Sequence, residues 1–204
     1  MKAAFFKITE EKQNKIVRAA MDEFAHHSFN EASLNNIIKV AGISKGGMFK
    51  YIEDKTDLYL YVFELALEAF FENQYKHLNV NQPCYITRIF DMVIKSKNFY
   101  MDSPLYFQLM IQGSIDFNSP CYDQLEVIRH ELLIDQKEAL LKNVDWTLYS
   151  MDKVQVLDYM NTLFQGINIR LLQLLTGDGF YDIEGYFDGL DQLKKITLNG
   201  VKGA

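Results

Sequence analysis

Cysteine is scarce in this chain. Only Cys84 and Cys121 occur, far apart and with no CxxC neighbour, so buried thiols are expected rather than a disulfide framework or a metal pair. Proline is nearly as scarce, with three residues at positions 83, 104 and 120 among 204. The long stretches between them keep helical periodicity, and strand-like alternation is hard to find, which points to an all-α protein. No apolar run reaches the ~18 residues that a membrane span needs. The segment Met1-Lys-Ala-Ala-Phe-Phe-Lys7 lacks the apolar core of a signal peptide, so a cytoplasmic location is expected. Catalytic patterns are missing as well. The four histidines, at 26, 27, 77 and 130, form no HExxH or other metal spacing. There is no GxSxG, no P-loop and no glycine-rich dinucleotide fingerprint. Neither an enzyme nor a cofactor nor a bound metal is expected.

What is present is a globular composition, with 49% hydrophobic and 14% aromatic residues, enough to build a sizeable core. The net charge of −6 argues against an anionic membrane surface or a nonspecific nucleic-acid coat, but the charge is unevenly placed. Residues 1–55 hold nine Lys/Arg and seven Asp/Glu, a net of +2, while residues 56–204 carry −8. This asymmetry predicts a basic working end over 1–55 and an acidic remainder over 56–204.

Helix signals follow one another along the chain. Thr9 with Glu10 and Glu11 opens a helix that carries the stripe Ile16, Ala20 and Phe24 to about His27. Ser33 caps a second helix of about eight residues, Gly42 sits where a left-handed turn residue belongs, and Ser44 caps a third helix to Tyr51. Asp54 caps a longer one, to about Leu78. Further helices are expected at about 84–100, 103–117 with an interruption at Gly113, 120–143, 151–175 and 182–198, the last two separated by Thr176-Gly-Asp-Gly179. The total is about nine.

Ser33 to Ile52 is the most informative stretch. It carries Lys39, Lys45 and Lys50 and no acidic residue. A helix-turn-helix needs a permissive turn residue, an apolar seam between its helices and an outward second helix. Gly42 supplies the turn, and Ile37, Ala41, Ile43 and Met48 the seam. Lys45, Gly46, Gly47 and Lys50 face outward, with the glycines letting the backbone approach DNA closely.

Residues of about 12–63 resemble the DNA-binding domain of the tetracycline-repressor (TetR) family. The likeness lies in Ile16-Val-Arg-Ala-Ala20 with Phe24, in Ile37 to Ala41-Gly-Ile-Ser-Lys-Gly46, in Met48-Phe-Lys-Tyr51 and in Lys55-Thr-Asp-Leu58. It implies that Phe49 and Tyr51 lie by the DNA backbone and that Lys55 binds phosphate, as helix N-termini and lysines both do. Gly47 stands where the family often has Thr or Ser, and Ile38 replaces a common alanine. Glu53 and Asp54 put negative charge beside the face. Base readout then falls on Lys45, Lys50, Met48 and Asn36, with Ser33 and Ser44 completing the DNA-binding set.

Beyond residue 65 the resemblance is architectural. It implies a ligand-binding and dimerisation domain, hence a homodimer on a palindromic double-stranded operator, most simply a repressor released by a small, largely apolar effector. Aromatic and Met residues are dense over 99–165, and Tyr100, Tyr106, Phe107, Met110, Tyr122, Tyr159, Met160, Phe164 and Asn168 are the expected pocket. Leu163, Ile167, Leu171, Leu174, Tyr186, Phe187, Leu190 and Leu193 are the expected dimer face. Arg170 on the apolar 151–175 helix is expected to need an acidic partner. The alternatives are a DNA-binding architectural or division-linked factor without a ligand, and a helical carrier or enzyme with a vestigial DNA-binding domain.

Overall fold

A computed structural model describes residues 1–176 and 182–201. Among them are ten α-helices and no strand, the all-α class that the sequence predicts. In chain order they are α1 Glu10–His26, α2 Leu34–Val40, α3 Lys45–Met48, α4 Lys55–Lys76, α5 Tyr85–Lys95, α6 Lys97–Asp102, α7 Pro104–Ile115, α8 Tyr122–Leu141, α9 Lys153–Thr176 and α10 Ile183–Val201. Short 3-10 turns lie at Phe5–Lys7 and Trp146–Leu148. Two expectations need correction. The helix expected over 84–100 breaks at Ser96, whose hydroxyl donates to the Met92 carbonyl at 2.8 Å. The same carbonyl also accepts from the Ser96 N–H at 3.1 Å, and such back-bonding bends a helix where α5 gives way to α6. Gly113, by contrast, does not interrupt α7. It gives room to Phe63, whose Cδ2 would lie 2.8 Å from a Cβ at that position. Of the expected break at Thr176–Gly179, residues 177–179 lie outside the described residues.

The chain packs as two compact units, Met1–Phe70 with Leu105–Leu132 and Phe71–Pro104 with Leu133–Ala204. The first is built on the apolar stripe of α1. Ile16, Ala20 and Phe24 are 0% exposed, as are Ile37, Met48, Ile52, Leu58, Val62 and Phe63. Burying side chains of this size contributes about 1.5–3 kcal/mol each, which fixes the short α2 and α3 although neither is long enough to be stable alone.

In the second unit α5 packs along α10, with Ile86, Phe90, Phe187 and Leu190 in the core. Gln74 donates to the Tyr100 hydroxyl at 2.9 Å, and Tyr186 donates to the Ile167 carbonyl at 2.8 Å. The sequence reading missed the polar centre of this unit. Arg88 is 1% exposed, and among the described residues its guanidinium donates only to carbonyls. Nη1 reaches Leu140 at 2.6 Å and Lys142 at 2.8 Å, Nη2 reaches Val80 at 3.1 Å, and Nε reaches Gln82 at 3.2 Å. It thereby caps the end of α8 and holds the loop before α5. Burial lowers the Arg88 pKa from its ordinary value, while Tyr149, Cys84 and Tyr85 oppose the shift.

Candidate nucleic-acid interface

The helix-turn-helix is assembled by caps and one buried carboxylate. Ser33 Oγ accepts from the Asn36 amide at 3.3 Å, and Ser44 Oγ accepts from the Gly47 amide at 3.1 Å. Gly42 has φ 66°, the left-handed turn that its sequence position predicts. Glu23 of α1, 6% exposed, accepts from the Ser33 backbone N–H at 2.7 Å and from Asn36 Nδ2 at 2.5 Å. Burial pushes the Glu23 carboxyl up, but the Ser33 amide, Asn36, His27 and His26 outweigh it and hold its pKa below the usual carboxylate range. Sequence spacing gives no sign of this, because Glu23 and Ser33 meet only once α1 and α2 have packed.

On this frame Lys45, Gly46 and Lys50 are exposed, as are Ser33, Asn36 and Ser44, and Phe49 is 38% exposed. Three expected roles change. Met48 is 0% exposed and belongs to the apolar seam, so it cannot read bases. Asn36 is exposed, but its amide nitrogen is committed to Glu23. Gly47 is half-buried, and a Cβ there would stand 3.1 Å from Ser44 Oγ. Its smallness serves the cap, whereas a Cβ at Gly46 would meet nothing within 4 Å, so Gly46 leaves the outer surface open.

Tyr51 is 7% exposed, yet its hydroxyl accepts from Lys12 Nζ at 3.0 Å, and the same ammonium lies 5.3 Å from the ring centroid. Lys12, one turn into α1, is a basic residue of this region that sequence reasoning passed over. Lys2 is another: its backbone N–H donates to the Tyr51 carbonyl at 2.8 Å and its ammonium to the Phe49 carbonyl at 3.2 Å. The acidic residues beside the face are largely occupied. Glu53 pairs with Lys2 at 2.8 Å, and Asp54 caps α4 by accepting from the Asp57 N–H at 2.9 Å. The Lys55 ammonium turns inward. It donates to the carbonyls of Phe29 at 2.6 Å and Ala32 at 3.0 Å and sits 4.4 Å from the Phe29 ring centroid. That geometry corrects the phosphate contact implied by resemblance: Lys55 fastens the loop between α1 and α2 to the start of α4.

The residues expected to line a pocket divide between the units. Tyr106, Phe107, Met110 and Tyr122 fall in the first, and Tyr100, Tyr159, Met160, Phe164 and Asn168 in the second. Phe107, Met110, Tyr100 and Met160 are buried, while Tyr159 is 39% exposed. The expected dimer face is also corrected. Ile167, Leu171, Leu174, Phe187 and Leu190 are buried in the second unit's own core, because the wide apolar faces of α9 and α10 serve that core. Leu163, Tyr186 and Leu193 are half-buried. The exposed apolar residues on these helices are Val154, Tyr159, Ile169 and Ile196. Arg170 is exposed, and among the described residues it donates to Gln173 Oε1 at 3.4 Å, in the place of the expected acid. No group of His, Cys, Asp and Glu among the described residues could hold a metal ion, and no described helix is long and apolar enough to cross a membrane.

Residues 16–62 match the family model for bacterial regulatory proteins of the tetR family. The fold is similar to that of a TetR family transcriptional regulator from Chloroflexus aurantiacus J-10-fl, with a TM-score of 0.72 and 21% identity over 100% of this chain and 99% of that one. It is also similar to a TetR-like transcriptional regulator from Rhodococcus sp. RHA1, with a TM-score of 0.66 and 18% identity over 93% and 96% of the two chains. The fatty acid degradation regulator FadR from Bacillus halodurans shares the fold with a TM-score of 0.61 and 16% identity over 89% and 96%. No curated protein matches the sequence significantly.

Proposed function

We propose that this chain, a DNA-binding transcriptional regulator of the tetR family, is a cytoplasmic dimeric repressor released from a palindromic operator by a small, largely apolar effector. The observation that carries the reading is the mounting of α3. Met48 in the core and the Ser44 cap fix a single helical turn, so Lys45 and Lys50 stand exposed at defined positions. Residues 1–55 supply this DNA-binding module. Lys45 and Lys50 meet phosphates or guanine edges, and Phe49 and Tyr51 lie along the backbone. With so few side chains at the tip, specificity rests also on DNA shape and on the spacing of the two modules.

The dimer uses the outer face of α9 and α10. Tyr159, Gly166 and Ile169 on one helix and Gly189, Ile196 and Gly200 on the other are exposed, recur at helical spacing, and leave room for another backbone, since nothing lies within 4 Å of a Cβ at Gly166, Gly189 or Gly200. Two recognition helices must sit about 34–36 Å apart to enter successive major grooves. An effector held within residues 56–204 favours a dimer of different spacing, and its effect on DNA affinity equals its differential affinity for the two forms, typically about 1–3 kcal/mol.

Selection of DNA sequences by the purified protein at low salt, followed by a screen of small molecules for release, tests this reading. Enrichment of an inverted repeat and its release by an apolar effector are expected. Failure to enrich any sequence would sink the repressor reading, and enrichment with no effector found would favour the ligand-free DNA-binding alternative.

A further inference from the structure

Lys12 lies on α1, outside the stretch from Ser33 to Ile52, and the fold brings it against the end of that stretch. Its ammonium donates to Tyr51 Oη at 3.0 Å and lies 5.3 Å from the ring centroid. Tyr51 is a fixed post. It is 7% exposed, its backbone N–H donates to the Met48 carbonyl at 2.8 Å, and its carbonyl accepts from the Lys2 N–H at 2.8 Å. Its ring meets the buried Phe5 edge-on. A long side chain that is ordinarily free to swing is thereby held in one direction.

A lysine ammonium carries three donors. Among the described residues, that of Lys12 gives one to Tyr51 and meets no acid. The other N–H groups have room beside them. Lys12 lines an open cleft of about 510 Å³ between the start of α1 and the turn of the helix-turn-helix. Thr9 and Lys15 share the α1 side, and Val40, Gly42 and Ile43 form the other. The carboxylate in the lining, Glu11, is taken by Lys15 at 2.7 Å. The cleft is therefore positive at Lys12 and apolar at Val40, which is 64% exposed. It is also continuous with the surface of α3, because Gly42 and Ile43 lead directly into Ser44 and Lys45.

We infer that this cleft seats a phosphodiester of the DNA backbone, with Lys12 as its ammonium donor, Tyr51 as the residue that aims it and Val40 against the neighbouring deoxyribose. A phosphate oxygen meets the donors that the chain leaves open, in a charge-assisted hydrogen bond. The contact reads no base. It fixes the register in which α3 enters the groove. The inference rests on the DNA-binding reading and extends its interface from α3 to α1.

The test uses the full chain with two probes, a random-sequence duplex and the selected operator, and melting temperatures are measured alongside. Lys12→Met should flatten the dependence of log K on log salt by about 0.9 per protomer, or about 1.8 for the proposed dimer, so that the wild-type advantage over the variant falls about tenfold between about 50 and 200 mM salt. Lys12→Arg should keep the wild-type slope. Tyr51→Phe keeps the charge and loses the anchor, so it should weaken binding with little change of slope. Val40→Asp, at a position exposed enough to spare the fold, should weaken binding through the cleft itself, and it decides the matter if Lys12→Met does not fold. A lysine that only props Tyr51 predicts a lower melting temperature for Lys12→Met with an unchanged slope, and that result overturns the inference. Wild-type affinity in Val40→Asp overturns it as well. A Lys12-dependent slope on the random duplex with no operator enriched fails the repressor reading alone. Operator binding whose slope Lys12→Met leaves intact fails the phosphate seat alone, and binding to neither duplex fails both.

Discussion

Replacing Glu23 tests how the helix-turn-helix is held. The carboxylate accepts from the Ser33 backbone N–H at 2.7 Å and from Asn36 Nδ2 at 2.5 Å, and Glu23 is 6% exposed. Hydrogen bonds to a charged group contribute about 1.5–3 kcal/mol each. Glu23→Ala forfeits both, recovers part of the cost of burying the carboxylate, and lets the exposed Asn36 amide return to water, for a net loss of about 2–4 kcal/mol. For a chain of this size that is a fall of about 5–15 °C in melting temperature. Glu23→Gln keeps an acceptor for Ser33 but sets an amide nitrogen against Asn36 unless that amide turns over, so its loss should lie between wild type and Ala. Thermal and urea denaturation followed by far-UV circular dichroism measures both. The pH dependence has a definite sign. The folded-state pKa of Glu23 is depressed, so its contribution is complete above the ordinary carboxylate range and is lost as pH falls through that range to the lowered folded value. The wild type should therefore lose more stability on acidification than Glu23→Gln. A loss below about 0.5 kcal/mol for Glu23→Ala, or equal acid sensitivity in wild type and Gln, would refute the reasoning.

Three further substitutions probe separate parts of the molecule. Gly113→Ala should cost about 1–3 kcal/mol by overpacking against Phe63, measured by urea denaturation, and a neutral result would mean that Phe63 has room to move. Lys55→Ala should loosen the loop holding Phe29 and Ala32 and lower stability by about 1–3 kcal/mol, while leaving the salt slope of DNA binding unchanged. A shallower slope would restore the phosphate contact that resemblance implied. Arg88→Ala leaves the last carbonyls of α8 unmet and should cost about 3–5 kcal/mol, and a melting temperature within 2 °C of wild type by calorimetry would contradict the capping role.

What could be read from the sequence was local. Ser33, Gly42, Ser44 and Asp54 each announce themselves by residue type at a helix boundary, and all four act as expected. The stripe of Ile16, Ala20 and Phe24 is the core of the first unit for the same reason. The errors arose where tertiary packing decides. An apolar face on α9 or α10 looks the same in sequence whether it meets its own unit or a second copy, and Leu171 and Phe187 meet their own unit. Glu23, Arg88 and Lys55 make their decisive contacts across 10 to 54 positions, with no periodic signal. Met48 illustrates a finer limit. One residue in a four-residue helix separates the seam from the DNA face, and only the geometry shows on which side it falls.

The central claim is that the exposed surface of α3 and of the turn after it meets DNA through Lys45 and Lys50. The direct measurement is the dependence of log K on log salt for the selected operator, with wild type and with Lys45→Ala plus Lys50→Ala. Each lost phosphate contact flattens the slope by about 0.9, so four missing lysines in the proposed dimer should flatten it by up to about 3.6 and weaken binding at low salt. An unchanged slope with unchanged affinity would contradict the account.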